Sequence, residues 1–133
     1  WGDGGGKRSY HHTAPINALY AMHEALLLLR EEGLEARWER HRRIHQRLRE
    51  ELEKLGFRFL VDETWRLPQL NAVFLPAGVD EAPLRRRLLK EYNIEVGGGL
   101  GDFAGKIWRI GLMGESCTEQ HVERLIKALR EVL

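Results

Sequence analysis

KIWRIGLMG, residues 106–114, sets an arginine in the middle of an otherwise apolar run. Strand side chains alternate between two faces. A strand over residues 107–113 therefore puts Ile107, Arg109 and Gly111 on one side and Trp108, Ile110 and Leu112 on the other. A guanidinium in such a stretch is expensive to bury unless it is paired. Two readings stand side by side. Arg109 either forms a structural ion pair inside the domain or faces a cleft and takes a carboxylate in a two-pronged grip. The segment just before it, GGGLGDFAG (97–105), reads as a flexible, glycine-rich loop that lets a ligand come close to the backbone.

Working upstream, IEV (94–96) reads as a short strand. Asp80 caps a helix that has Glu81 and Pro83 in its first turn and reaches about Tyr92. LNAVFLP (70–76) and the alternating FRFLV (57–61) read as two further strands. Downstream, Thr118 caps a last helix with the apolar stripe Val122, Leu125, Ile126, Leu129 and Val132.

Before the strands come two helices. The first runs from about Pro15 to Glu31 and ends at Gly33, and its leucine-rich sides predict deep burial. The second, longer one runs from Leu34 to about Leu55. Leu34, Trp38, His41, His45, Leu48, Leu52 and Leu55 recur along it at steps of four and three. The order predicts a small α+β domain: an antiparallel or mixed sheet of three to four strands with helices on one face, preceded by a long helix. Residues 1–9, with four glycines in the first six, read as a linker, and residues 10–133 as the domain. The abrupt glycine-rich start reads as a piece of a longer chain.

The chain has 133 residues, 43% of them hydrophobic and 31% charged, which is the composition of one globular domain. A net charge of +1 argues against a nucleic-acid or membrane-surface binder. No apolar run approaches a membrane span. A single cysteine, Cys117, excludes an internal disulfide and suits a reducing, intracellular compartment.

Other candidates are weaker. GDGGGKRS (2–9) lacks P-loop spacing and a preceding strand. His41 and His45 share a helix face at zinc-ligand spacing, but they lie in the apolar stripe and read as core-edge histidines. The arginines of the long helix are interleaved with acids: seven basic and five acidic residues lie between Leu34 and Leu55, which reads as a neutral, solvated face laced with i,i+4 pairs rather than a grip on nucleic acid. Cys117 precedes a helix, where a thiol is more acidic, yet only His121 lies near in sequence. Tyr10 and Thr13, in RSYHHTAPI (8–16), stand just before the first helix. Thr13 either caps that helix or, with Tyr10, helps form an anion site at its start.

Two segments, YHHTAPINALYAMHEAL (10–26) and GGGLGDFAGKIWRIGLMG (97–114), resemble the C-terminal part of class V pyridoxal-phosphate aminotransferases, above all the alanine–glyoxylate and serine–pyruvate group. The resemblance extends over nearly the whole chain. It implies a homodimer acting on amino acids and 2-oxo acids, with alanine or serine as donor and glyoxylate or pyruvate as acceptor. It also implies that Arg109 grips the substrate carboxylate, and that Tyr10 and Thr13 help hold the cofactor phosphate of the neighbouring subunit. In such enzymes the cofactor-anchoring lysine and the aspartate facing the pyridine nitrogen lie upstream. None of the five lysines here (Lys7, Lys54, Lys90, Lys106, Lys127) matches the lysine motif, so the segment alone is expected to be inactive. The compartment expected for the parent is cytoplasmic, or peroxisomal or mitochondrial in a eukaryote. The rival expectation is a stand-alone interaction domain that dimerises through the stripe of the long helix. A cysteine-using desulfurase fits less well, since Cys117 lies in GESCT, where no catalytic loop is expected.

Overall fold

The computed structural model describes residues 12–133. The expected linker and Tyr10 lie outside the described residues. The chain divides into two compact units, Trp1–Arg37 and Trp38–Leu133.

The first unit holds α1, Ile16–Glu32, and the start of α2, Leu34–Lys54. Gly33, at φ 85°, separates the two, and its N–H closes α1 on the Leu29 carbonyl. The bounds match the expectation, but the burial does not. No residue of α1 is buried, and Tyr20 and Leu26 are 73% and 56% exposed. The residues on both sides of α1 are apolar, so the sequence does not mark one inward face, and apolar character by itself supplies no partner surface.

The second unit is a four-stranded sheet with helices. Its strands are β1 (Arg58–Phe59), β2 (Leu70–Phe74), β3 (Gly97–Gly98) and β4 (Ile107–Gly111), in the order β1-β2-β4-β3. Every pairing is antiparallel. The remaining helices are α3 (Glu81–Tyr92) and α4 (Glu119–Val132). Ile44, Leu48 and Leu52 of α2, Leu84 and Leu88 of α3 and the whole predicted stripe of α4 form one core with Val73, Trp108 and Ile110. Those strand residues are on one side of the pleat, so the three helices cover one face of the sheet, and the α+β expectation holds.

The four strand assignments need correction. Ile94–Val96 does not form the edge strand; Gly97–Gly98 does, inside the stretch expected to be a loop. The cause is the way α3 ends. Asn93 adopts a left-handed conformation at φ 53°, and the Ile94 N–H returns to the Leu88 carbonyl at 3.0 Å, so these residues complete a helix cap before the chain can pair. The stretches expected as 57–61, 70–76 and 107–113 are shortened to Arg58–Phe59, Leu70–Phe74 and Ile107–Gly111. Thr118 caps α4 as expected, accepting from the His121 N–H at 3.2 Å. Asp80 occupies the cap position of α3 without a side-chain bond.

Candidate functional site

Arg109 lies at the centre of β4. Register places Ala72 of β2 on one side of it and Gly97 of β3 on the other. Its sheet face is the one opposite Trp108 and Ile110, away from the helices. The side chain is half-buried, flanked across the strands by the two smallest residue types. Its Nε donates to the Gly98 carbonyl at 2.8 Å, which orients the guanidinium. Among the described residues no carboxylate pairs with it. That removes the internal ion-pair reading and leaves the terminal N–H groups for an external acceptor. A Cβ at Gly97 would lie 3.4 Å from Arg109 Nη2, so glycine there keeps the approach open.

The glycine-rich segment is built rather than slack. A Cβ at Gly99 would fall 1.9 Å from the Phe103 carbonyl oxygen, so only glycine fits there. The short helical turn Gly101–Phe103 follows, and Ile107 is buried beneath this loop, its Cγ1 3.0 Å from the position of that Cβ.

Behind the arginine strand lies a group of residues that the sequence reading passed over. Trp108 is fully buried and its indole N–H donates to Glu81 Oε1 at 2.9 Å. The same oxygen accepts from Arg85 Nε at 2.6 Å. Glu81 had been read only as a favourable charge in the first turn of α3; its reach into the core depends on how α3 packs on the sheet, which no local pattern reveals.

The long helix settles several other candidates. His41 is buried, and its Nε2 accepts the Gly114 N–H at 3.2 Å. Arg40 donates to the Gly114 and Cys117 carbonyls at 3.0 and 2.7 Å. Consecutive residues of α2 thus clip the turn after β4. His45 Nδ1 lies 2.7 Å from Asn71 Oδ1, while the Asn71 amide donates to the Ile110 carbonyl at 3.2 Å. Burial pushes the His45 imidazole below its ordinary value, and the cations Arg49 and Arg66 add to this; the Asn71 hydrogen bond and Glu63 oppose it. The two histidines make separate structural contacts, and no metal-holding cluster of three or more His, Cys, Asp or Glu occurs among the described residues.

The charged face of α2 is paired, but more across helices than within one, and its internal ion pairs Arg42–Glu39 and Lys54–Glu51 are spaced i,i+3 rather than the expected i,i+4. Arg43 and Arg47 bind Glu119, Arg47 also binds Glu123 at 2.7 Å, and Arg130 of α4 binds Glu51 at 2.5 Å. The apolar stripe of α2 cannot serve whole as a partner face: Leu48 and Leu52 already belong to the chain's own core, while Leu34 and Trp38 are exposed. Cys117 is likewise a fully buried core residue. Thr13 is exposed, and α1 has Pro15 at its cap position with no side-chain cap, so Thr13 does not cap this helix.

A family model described as Aminotransferase class-V matches residues 5–125. The chain belongs to that family. Alanine–glyoxylate aminotransferase of Felis catus is 42% identical over 134 aligned residues, covering 100% of this chain and 32% of the relative. (S)-ureidoglycine–glyoxylate transaminase of Bacillus subtilis is 39% identical over 127, covering 96% of this chain and 30% of that one. The crystal structure of alanine–glyoxylate aminotransferase from Nostoc sp. superposes with a TM-score of 0.87 at 52% identity, covering 96% of this chain and 34% of that one. The chain thus spans about a third of the length of the class-V relatives it matches. None of the described helices is long and apolar enough to cross a membrane.

Proposed function

We propose that this chain is the C-terminal domain of a pyridoxal-phosphate-dependent aminotransferase of the alanine–glyoxylate or serine–pyruvate type, and that Arg109 binds the carboxylate of the amino acid and of the 2-oxo acid. The observation that carries this is a half-buried arginine oriented by the Gly98 carbonyl, on the sheet face away from the helices, with no carboxylate of its own among the described residues. A planar guanidinium held at Nε presents its remaining donors as a fork that matches a carboxylate. The small neighbours Ala72 and Gly97 leave room for it.

The described residues suit one end of the cofactor. Thr13 is exposed before the uncapped start of α1, where first-turn N–H groups lack intrahelical partners and favour a phosphate. Tyr10 and Thr13 contribute to the phosphate site of a neighbouring subunit in a homodimer. The ring end finds no match among the described residues: Lys54, Lys90, Lys106 and Lys127 are all exposed, whereas a lysine that anchors a carbonyl cofactor is activated by desolvation or a nearby cation. Bound pyridoxal phosphate supplies the electron sink that lets an amino acid lose its α-proton. The 133-residue segment by itself does not transaminate, and adding pyridoxal phosphate to it gives no saturable one-site visible absorbance.

The test is Arg109→Lys and Arg109→Ala in the polypeptide that carries this segment, assayed with pyruvate and glyoxylate. KM should rise by about 10–100-fold for both acids, more for Ala than for Lys. An unchanged KM in both variants would overturn the assignment.

A further inference from the structure

We propose that Glu81 is a positioning residue for Arg109, acting through Trp108 and Gly98. This rests on the reading of Arg109 as the carboxylate grip.

The edge strand that orients Arg109 is weak by itself. β3 is two residues long and pairs with β4 only at Gly97–Arg109 and Gly98–Trp108. Two ladder pairs to an edge strand of two glycines give little rigidity. Yet the Gly98 carbonyl must stay in place to receive Arg109 Nε at 2.8 Å. On the core side of the same pair sits the Glu81–Arg85 ion pair. A Cβ at Gly98 would point to the core side and lie 3.7 Å from Glu81 Oε1 and 3.8 Å from Arg85 Cζ, so this face of Gly98 looks onto the ion pair. Glu81 Oε1 also holds the Trp108 indole at 2.9 Å. One carboxylate oxygen therefore ties down Trp108, which pairs with Gly98 across the ladder and precedes Arg109 in the chain.

The position of this acid is otherwise unexplained. The Glu81 side chain is 8% exposed, and its ion-pair partner Arg85 is 41% exposed. Burying a carboxylate against a half-solvated partner costs more than an apolar residue of similar size. An acid in the first turn satisfies the helix dipole equally well when it points outward. Its inward reach makes sense as a fixed acceptor for the indole beneath the arginine strand, a supporting contact of the kind that holds a binding group within a fraction of an ångström of its working geometry.

The experiment compares Glu81→Ala, Glu81→Gln and Trp108→Phe in the polypeptide that carries this segment, loaded with cofactor. Steady-state kinetics with pyruvate and the exchange rate of the Arg109 Nε–H by nitrogen-15 NMR are both measured. Glu81→Ala should raise KM for pyruvate about tenfold and speed Nε–H exchange by a similar factor, with kcat changed by less than about twofold. Glu81→Gln keeps an acceptor for the indole and should recover most of the KM. Trp108→Phe should reproduce the Glu81→Ala effect, and the double variant should add little to it. Glu81→Ala protein that folds with KM and exchange both unchanged would overturn the proposal. If Glu81→Ala does not fold, Trp108→Phe decides by the same two readouts. Were Arg109→Lys and Arg109→Ala to leave KM unchanged, the carboxylate reading would fail, while the exchange rate would still report whether Glu81 steadies the arginine.

Discussion

α1 and α4 are both rich in leucine and its relatives, yet they end in opposite environments. In α4, Val122, Leu125, Ile126, Leu129 and Val132 are buried, while Glu123, Lys127 and Arg130 on its other side meet water. In α1 no residue is buried, although Leu26 to Leu29 are four leucines in a row. The difference is one of pattern. α4 carries one apolar stripe whose width matches the sheet face it covers, so its sequence states where its partner lies. α1 is apolar on several sides and states only that water is a poor solvent for it. Hydrophobicity measures the drive to be covered, and periodicity shows by what.

The largest effect that would break this comparison is a core truncation. Leu129→Ala in α4 should lower unfolding free energy by about 2–5 kcal/mol, against less than about 0.5 kcal/mol for Leu26→Ala in α1. Urea unfolding of the chain followed by circular dichroism reads both; equal losses would mean that α1 is buried after all. A smaller contrast lies at the helix starts. Thr118→Ala removes a cap that accepts the His121 N–H and should cost about 1 kcal/mol. Thr13→Ala, at a helix it does not cap, should stay within about 0.5 kcal/mol. If Thr13→Ala proves as costly as Thr118→Ala, the start of α1 is organised differently.

The smallest effect sharpens the contrast from the side of the packed unit, through pH. Burial lowers the His45 imidazole from its ordinary value of 6.5, so below that pH the unfolded chain holds more protons there than the folded one. The His45 contribution is full above pH 6.5, is lost as pH falls below it, and levels off once the folded imidazole also protonates. His45→Gln, which keeps a hydrogen-bonding group for Asn71, should flatten the pH slope of unfolding free energy in that window. A slope identical to the parent's would show that His45 does not carry it.

These contrasts also mark what was legible beforehand. The α4 stripe, the Thr118 cap, Gly33 as a helix stop and the alternation around Arg109 are local patterns, and each reappears in the structure. The edge strand was misplaced because Ile94 and Val96 have strand propensity, whereas the cap of α3 takes up Ile94 and the ladder forms at two glycines. Ile44, which joins the core, was passed over because the heptad-like reading of α2 favoured Trp38, which is 52% exposed. Arg109 was singled out with two readings open, because an ion-pair partner can come from anywhere in the chain.

From the sequence alone came the helix bounds, the faces of β4, the inward stripe of α4 and an arginine expensive to bury unpaired, because each depends on residues a few positions apart. Only the tertiary structure decided that Arg109 leans on the Gly98 carbonyl without an acidic partner among the described residues, that Glu81 reaches 27 positions along the chain to the Trp108 indole, and that no residue of α1 is buried. Those outcomes depend on which distant surfaces meet, and a contact between distant residues has no period to be read.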